Sequence, residues 1–207
     1  MTSPPKTITE EQAKTLLKLL QYPRDTNNAK RKGIRNFAMA VLMLDAGLRV
    51  GEVTQLKISD LWFGDRPVES IIVRAEIAKT KKERAIPSSQ RIWLAIRLLR
   101  RYYWPSLTLN MDSFAFFAND YALPLTVRQV ERILERGSKK SLGFSVNPHM
   151  MRHTFATRLM RVTNARVVQQ LLGHSSLTST QIYTHPNQDD LANAIKSIET
   201  TEQREEA

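Results

Sequence analysis

A chain of 207 residues, 42% of them hydrophobic, is large enough for one sizeable domain or for a domain with an appendage. It has no cysteine, which excludes a disulfide framework and a zinc–thiolate site, and its longest apolar run, FAMAVLML at 37–44, is too short to span a bilayer. No charged-then-apolar signal segment opens the chain, so we expect a cytoplasmic protein with no membrane partner.

The net charge of +11 is unevenly distributed along the chain. Residues 189–207 hold six acids and two bases, which leaves +15 on residues 1–188. The basic residues recur in clusters such as KRKGIR at 30–35 and KTKKER at 79–84. A body of this charge attracts polyanions, nucleic acid first, although a solvated basic surface or an anionic membrane contact is compatible with the same composition.

The first half of the chain predicts two helices and then a sheet. Residues 1–8 are expected to form a flexible lead-in, and Thr9 with Gln12 three residues later makes a capping-box pattern for a first helix. NFAMAVLMLDAG predicts a buried helix that ends at Gly47. The β-rich segments DLWF, SIIVR and ERAIP, separated by GDRP and AKTK, then predict a small antiparallel three-stranded sheet.

Helices resume after the sheet and continue to the end of the chain. QRIWLAIRLLRRYYW predicts a long helix, and SFAFFAND is either a strand or an extended crossing. Asn147-Pro148 is a helix start, and ARVVQQLL predicts an amphipathic helix that ends at Gly173. A last helix lies within residues 187–198, and residues 199–207 are expected to be a disordered acidic tail. The fold class is α+β, mostly α-helical, with one small sheet.

Arg49, in GLRVGEV, is the first candidate functional residue. It follows the predicted buried helix and lies one helical turn before Glu52. An arginine between Leu48 and Val50 is poorly placed as a plain surface charge, so it needs a buried acidic partner or an anion. Its planar fork suits phosphate oxygens, but an Arg49–Glu52 pair that only holds the fold explains the pattern equally well.

The segment NPHMMRHTFATRL places His149, Arg152 and His153 at i, i+3 and i+4 on one helical face, near a helix start that favours anions. The two histidines also have the spacing of a zinc-binding helix. Met150, however, stands where a zinc protease needs its glutamate base, and no obvious third ligand cluster exists. An anion site, a pair of hydrogen-bonded core histidines and a metal site all remain open.

HSSLTSTQIYTH, at 174–185, encloses Tyr183 between two of the chain's four histidines. A phenol with a pKa near ~10 is a poor nucleophile at neutral pH without help. Attack on a phosphodiester needs a group that takes the phenol proton, cations that neutralise the phosphate and an acid for the departing oxygen. The two arginines, the histidines and the lysine-rich turn AKTKKER offer groups of each kind.

In this order and at these distances, GLRVGE, AKTKKERAIP, HMMRH and LLGHSSLTSTQIYTH resemble the tyrosine recombinase (phage integrase) family, from about Thr7 to about His185. The resemblance implies a catalytic domain at 9–186 with the family's catalytic fold. It implies site-specific DNA strand exchange through a covalent 3′-phosphotyrosine, on double-stranded DNA and without metal or other cofactor. It also favours a monomer without DNA and a tetramer on DNA, with the 187–198 helix exchanged between protomers.

The resemblance implies a role for each main candidate residue. Arg49 and Arg152 clamp the non-bridging oxygens of the scissile phosphate. Lys79, chosen among the three lysines of the predicted turn, is the general acid for the 5′-oxygen. Tyr183 is the nucleophile, and His149 helps to take its proton.

The remaining positions support this set. The resemblance implies that His174 hydrogen-bonds the phosphate, that Glu52 is a supporting acid near the first arginine, and that His153 occupies a position that is usually structural. Met151 replaces the leucine usual before the second arginine, and it is apolar and similar in size.

A larger departure from the family pattern concerns the start of the chain. Family members usually carry an N-terminal helical domain that closes over the other face of DNA, whereas here the catalytic domain begins almost at once. We therefore expect that core-binding domain to be absent, because the chain is either an excised fragment or one of the naturally short family members. The +15 body is then expected to supply most of the DNA grip through phosphate contacts. A type IB topoisomerase-like enzyme and a non-catalytic DNA-binding accessory protein are the alternative functions.

Overall fold

The computed structural model of the protein describes residues 6–22, 27–106, 109–118 and 123–173. Helices dominate these ranges, as the sequence predicted, and no helix within them is long and apolar enough to cross a membrane. The α-helices are α1 (Glu10–Gln21), α2 (Asn27–Asp45), α3 (Val50–Thr54), α4 (Gln90–Leu98), α5 (Val127–Leu142), α6 (Pro148–Met160) and α7 (Ala165–Leu172). After α4 the chain continues through a π-helical turn, Leu99–Tyr103, and a 3-10 turn, Trp104–Ser106.

The start of α1 confirms the predicted capping box. The Gln12 backbone N–H donates to Thr9 Oγ1 at 3.2 Å, and the Thr9 backbone N–H donates to Gln12 Oε1 at 2.9 Å. The flexible lead-in expected over residues 1–8 is wrong at its last residue. Ile8 is buried, and its backbone N–H donates to Thr154 Oγ1 at 3.0 Å, because its apolar side chain joins the core beside α6.

Helix α2 forms the centre of the core and packs against α1, α4 and α6. Its residues from Phe37 to Leu44 are all buried, as its unbroken apolar run predicted. The helix is followed by Gly47, whose φ of +60° lies in the left-handed region. A Cβ at Gly47 would lie 2.4 Å from Cδ1 of Phe155, so glycine lets the chain turn close against α6.

The strands form two two-stranded antiparallel sheets instead of the predicted three-stranded one. They are β1 (Trp62–Phe63), β2 (Arg66–Pro67), β3 (Ser70–Val73) and β4 (Arg84–Pro87). β1 pairs with β2, and β3 pairs with β4, with Val73 opposite Arg84. β2 and β3 are successive parts of one stretch that bends at Glu69, so its first part pairs with β1 and its second with β4.

The segment SFAFFAND is an extended crossing within its described part. Phe114 and Phe117 make isolated bridges to Lys57 and Pro124. Phe117 also lies under the ring of Tyr103, whose hydroxyl donates to the Phe117 carbonyl at 2.7 Å. The crossing thereby closes the core on the side of the π-helical turn.

The last described helices have the predicted ends. Asn147 caps α6, because its Oδ1 accepts from the Met150 backbone N–H at 2.9 Å, and Pro148 occupies the first turn. Helix α7 ends at Gly173, whose φ is +62°. The predicted C-terminal helix and acidic tail lie outside the described residues.

Candidate active site

Arg49 lies in the turn between α2 and α3, directly before the first residue of α3. Its neighbour Leu48 is fully buried, which directs this turn into the core. The Arg49 backbone N–H donates to Glu52 Oε2 at 2.8 Å, and its Nη1 donates to Glu52 Oε1 at 3.0 Å. The acidic partner expected from the sequence is therefore Glu52.

Glu52 is the buried carboxylate at the centre of the site, with a side chain that is 1% exposed. It binds Arg84 with both oxygens, at 2.9 Å from Nη1 to Oε1 and 2.7 Å from Nη2 to Oε2. Burial by itself would raise the pKa of Glu52, but the hydrogen bonds and charge of Arg84, followed by those of Arg49, hold the pKa below its ordinary value. The carboxylate is therefore ionised at neutral pH.

Arg84 was missed by the sequence analysis, which treated it as part of a basic cluster. A signal for it was present in the strand alternation: in β4, Arg84 and Ile86 point inward, while Ala85 and Pro87 are exposed. An arginine at an inward position needs a buried acceptor, and Glu52 supplies it.

Three arginine side chains also bind the C-terminal end of α7. Arg84 Nε donates to the Leu171 carbonyl at 3.0 Å. The Leu172 carbonyl accepts from Arg152 Nη2 at 2.6 Å and from Arg49 Nη1 at 3.4 Å. The last carbonyls of a helix lack partners within the helix and carry its partial negative charge, so cations are favoured at this end.

Helix α6 presents its predicted face to the same region. Arg152 is buried and also donates through Nη1 to the Gly47 carbonyl. His149 is exposed, and its ring centroid lies 6.5 Å from that of His153. Burial, then the charges of His149 and Arg152, lower the pKa of His153. Within the described parts of the chain, no group of three or more His, Asp or Glu residues could hold a metal ion.

One cavity of about 300 Å³ collects most of the predicted residues. It is lined by four of the six predicted catalytic residues, Arg49, Lys79, His149 and Arg152. The predicted supporting acid, Glu52, also lines it. Lys79 comes from the turn between β3 and β4. In the same turn, Lys81 has a φ of +54° and its Nζ donates to the Glu76 carbonyl at 3.2 Å, so its amine is used within the turn.

The remaining two predicted catalytic residues, His174 and Tyr183, lie outside the described residues. A separate cleft of about 520 Å³ lies between α2, α4 and α6, where Asp45, Arg91 and Arg158 line it. None of the four predicted catalytic residues that the structure describes lines that cleft. The smaller cavity is therefore the candidate active site, because it combines two guanidinium groups, an ammonium group and an imidazole.

Comparisons with known proteins identify the family of this chain. The phage integrase family model matches residues 6–190. Tyrosine recombinase XerA of Pyrococcus furiosus is 34% identical over 93% of this chain and 61% of its own length. Tyrosine recombinase XerC of Mannheimia succiniciproducens is 34% identical over 91% of this chain and 59% of its own length. The chain thus spans about three fifths of these curated relatives.

Solved structures show the same likeness. The crystal structure of XerA recombinase superposes with a TM-score of 0.71 and 29% identity, covering 94% of this chain and 66% of that one. XerH site-specific recombinase bound to its difH substrate superposes with a TM-score of 0.73 and 24% identity, covering 94% of this chain and 54% of the other, a likeness of fold. With the family pattern matched over most of its length, the chain belongs to the phage integrase family.

Proposed function

We propose that the protein is a site-specific DNA recombinase that cleaves and rejoins strands through a covalent 3′-phosphotyrosine at Tyr183. The observation that carries the proposal is the convergence of four side chains on one cavity: Arg49, Lys79, His149 and Arg152. They come from the turn before α3, the β3–β4 turn and the start of α6, so closeness in sequence does not explain their meeting.

In the proposed reaction, the Tyr183 oxygen attacks the scissile phosphorus while His149 helps to take the phenol proton. The bond from phosphorus to the 5′-oxygen breaks, and Lys79 gives that oxygen a proton. Arg49 and Arg152 neutralise the negative charge that gathers on the non-bridging oxygens. The phosphotyrosyl ester keeps the bond energy, so a 5′-hydroxyl of a partner strand can reverse the step without an external energy source.

The hydrogen bonds of the arginines support this role. Arg49 is oriented by Glu52 and the Leu172 carbonyl, and Arg152 by the carbonyls of Gly47 and Leu172. Catalytic groups held before the substrate arrives need no reorganisation during the reaction. We therefore propose that the Arg49–Glu52 pair holds the fold and also orients the Arg49 guanidinium toward a phosphate at the cavity.

Double-stranded DNA is the proposed substrate. The charge of +15 on residues 1–188 favours a polyanion, and the matched XerH structure contains its difH substrate. Helix α5 adds a row of exposed basic side chains at intervals of four residues: Arg128, Arg132, Arg136 and Lys140. Such a row lies along one side of a helix and suits contacts with a phosphate backbone.

We also propose a monomer without DNA and a tetramer on DNA, in which residues 187–198 of one protomer dock on the next. The high positive charge of the body opposes self-association until DNA neutralises it. Leu191, Ala194, Ile195 and Ile198 have the spacing of one face of the predicted helix, and such an apolar face needs a partner. Deleting residues 187–207 is expected to reduce strand exchange and leave single-site binding largely intact. Full recombination and normal assembly by light scattering would contradict this.

The decisive experiment for the proposed function is covalent trapping. A duplex is first selected from a randomised pool by binding to Tyr183→Phe, then nicked so that the cleaved strand cannot rejoin. The wild-type protein is expected to form a covalent adduct on a denaturing gel. Tyr183→Phe is expected to bind the duplex equally and form none, because only the nucleophilic oxygen is removed.

Each other outcome of this trapping is informative. An adduct of wild-type yield from Tyr183→Phe would move the nucleophile to another residue. Tight binding without any wild-type adduct would leave a non-catalytic DNA-binding protein. Relaxation of supercoiled plasmid without recombinant products would indicate topoisomerase-type swivelling.

A further inference from the structure

We propose that Arg84 is a positioning residue of the cleavage site, which ties Glu52 and the end of α7 to β4 and thereby fixes Arg49 at the cavity. Arg84 itself is not among the residues that line the cavity, so it acts through its neighbours. The inference rests on the proposed function, because it assigns Arg84 a part in the same reaction.

All three nitrogens of the Arg84 guanidinium are used at once. Nη1 and Nη2 bind the two oxygens of Glu52, and Nε binds the Leu171 carbonyl. The side chain is only 5% exposed, so these contacts are shielded from water. A lysine has the charge but lacks the planar fork, and it cannot make the same three contacts from one position.

Glu52 connects Arg84 to Arg49. Its Oε1 accepts from Nη1 of both arginines, and its Oε2 accepts from Arg84 Nη2 and from the Arg49 backbone N–H. The orientation of Arg49 is therefore set by a carboxylate that Arg84 also binds through both oxygens. Loss of Arg84 leaves a buried carboxylate with one guanidinium partner instead of two, and that carboxylate is free to shift.

The contact with α7 is the second link. Gly173 ends α7 in the left-handed region, and a Cβ there would lie 3.0 Å from Arg84 Cδ, so glycine permits the close approach. The Leu172 carbonyl, one residue before, accepts from Arg49 and Arg152. A displacement of this end of α7 would therefore disturb both arginines that we propose to clamp the phosphate.

The third link is to the general acid. Arg84 is the first residue of β4, opposite Val73 of β3, and Lys79 lies in the turn that joins the two strands. By binding Glu52 and α7, Arg84 anchors the base of the hairpin that carries Lys79. One buried side chain thus joins the hairpin that carries Lys79 to α3, which directly follows Arg49, and to the end of α7, whose last carbonyl accepts from Arg152.

Arg74 offers a matched control on the same hairpin. It follows β3 directly, binds Asp60 through Nε at 3.0 Å and Nη2 at 3.1 Å, and donates to the Gln55 carbonyl at 3.1 Å. Like Arg84 it binds a carboxylate and a backbone carbonyl, with a further, longer contact of 3.7 Å from Nη1 to Glu76 Oε2, but it does not line the candidate active site. Arg84→Met and Arg74→Met each remove one such anchor.

The first measurement is single-turnover cleavage of the selected nicked duplex. Arg84→Met is expected to bind this duplex as the wild type does and to cleave it about 10²-fold more slowly, as expected when a reacting group is misplaced by about 1 Å. Arg84→Lys is expected to lose nearly as much, and Arg74→Met to cleave at close to the wild-type rate.

The second measurement follows the pKa of Glu52 by carboxyl ¹³C NMR in the protein without DNA. Arg49 and Arg84 contact this carboxylate, and Lys79, His149 and Arg152 line the cavity beside it. Without Arg84, burial is opposed by fewer charges, so the pKa of Glu52 rises. We therefore expect the cleavage rate of Arg84→Met to decline at acidic pH. Arg74→Met should show no such decline, and the double variant Arg84→Met/Glu52→Gln should lose it.

The outcomes separate this inference from the proposed function. A wild-type adduct together with equal rates and unchanged pH profiles in Arg84→Met and Arg74→Met would overturn the positioning role alone. Absence of a wild-type adduct would overturn the function, while the NMR titration still tests the Arg84–Glu52 link. If Arg84→Met does not fold, Arg84→Lys decides: a wild-type rate and pH profile in that variant would overturn the inference.

Discussion

The two strands of the β3–β4 hairpin each lead to an arginine that binds a carboxylate, Arg74 with Asp60 and Arg84 with Glu52. Each arginine also binds one backbone carbonyl. The two carboxylates differ in their other hydrogen-bond donors. Asp60 also accepts the Lys57 backbone N–H at 2.8 Å, a local turn contact, whereas Glu52 also holds Arg49 at the cavity. The Arg74–Asp60 pair thus stabilises a local turn, whereas the Arg84–Glu52 pair also contacts a residue of the candidate active site.

Burial separates the two pairs as well. The Arg84 and Glu52 side chains are 5% and 1% exposed, against 28% and 7% for Arg74 and Asp60. A buried ion pair is expensive to break because one charge is left without a partner, while water compensates part of the loss in a more exposed pair. We therefore expect substitution of Glu52 to lower the free energy of unfolding more than substitution of Asp60.

The largest expected effect is on stability. Glu52→Gln is expected to lower the free energy of unfolding by about 3–5 kcal/mol, because Arg84 is left as a buried charge without a carboxylate. Asp60→Asn is expected to cost about 1 kcal/mol, since Arg74 stays partly solvated. Urea unfolding of both variants measures the comparison directly, and equal losses would remove the distinction between the two pairs.

The pH dependence of stability sharpens the same contrast. The pKa of Glu52 is lowered below its ordinary value of 4.5, so the folded protein binds this proton less readily than the unfolded chain. The stabilisation is therefore fully present above pH 4.5 and is lost as pH falls through the folded pKa. We expect the difference in free energy of unfolding between wild type and Glu52→Gln to become smaller on acidification. A difference that grows at acidic pH would contradict a lowered pKa of Glu52.

A second prediction concerns the cleavage rate. Arg49→Lys and Arg152→Lys are each expected to slow cleavage about 10²–10³-fold, since lysine keeps the charge but not the fork that spans two phosphate oxygens. Arg74→Lys is the matched control and should cleave nearly normally. Single-turnover assays on the nicked duplex decide it, and near-normal rates in both site variants would assign these arginines to the fold alone.

A third prediction tests the lysine carried by the hairpin turn. Lys79→Ala is expected to cleave a normal phosphodiester about 10²-fold more slowly, because the 5′-oxygen leaves without a proton donor. On a 5′-bridging phosphorothiolate its rate should recover, since a thiol leaving group needs little such help. Lys81→Ala is the control, and recovery in that variant or in Lys82→Ala instead would move the role along the turn.

The smallest effect is expected at the helix-ending glycines. Gly173→Ala and Gly143→Ala each place a side chain in the left-handed region, at a cost of about 1–2 kcal/mol. An added Cβ at Gly143 meets nothing within 4 Å, while at Gly173 it would press on Arg84. Cleavage should therefore slow only in Gly173→Ala. Equal cleavage by the two variants at matched folded fraction would weaken the link between α7 and the site.

Local features of the fold could be read from the sequence. The caps at Thr9 and Asn147 and the stop at Gly173 were predicted correctly, because the bonds that form them join residues a few positions apart. The candidate residues around the cavity were also chosen from their spacing and from family resemblance. That choice names residue types and positions, but it does not by itself say which side chains meet.

Longer-range contacts could not be read in this way. The division of the strands into two sheets depends on a bend at Glu69, and the burial of Ile8 depends on a partner in α6. The choice of Lys79 among three lysines came from resemblance, and the shape of the turn now adds that Lys79 lines the cavity.

The sequence by itself therefore determined the mostly helical character of the fold, several helix ends, the family and the set of candidate residues, because periodicity, caps and motif spacing are local properties of the chain. Only the tertiary structure decided the part played by Arg84. Its acceptors lie 32 residues away at Glu52 and 87 residues away at Leu171. Contacts between residues so far apart in sequence form only when the core packs, because the local sequence of one element does not indicate which other element it will contact.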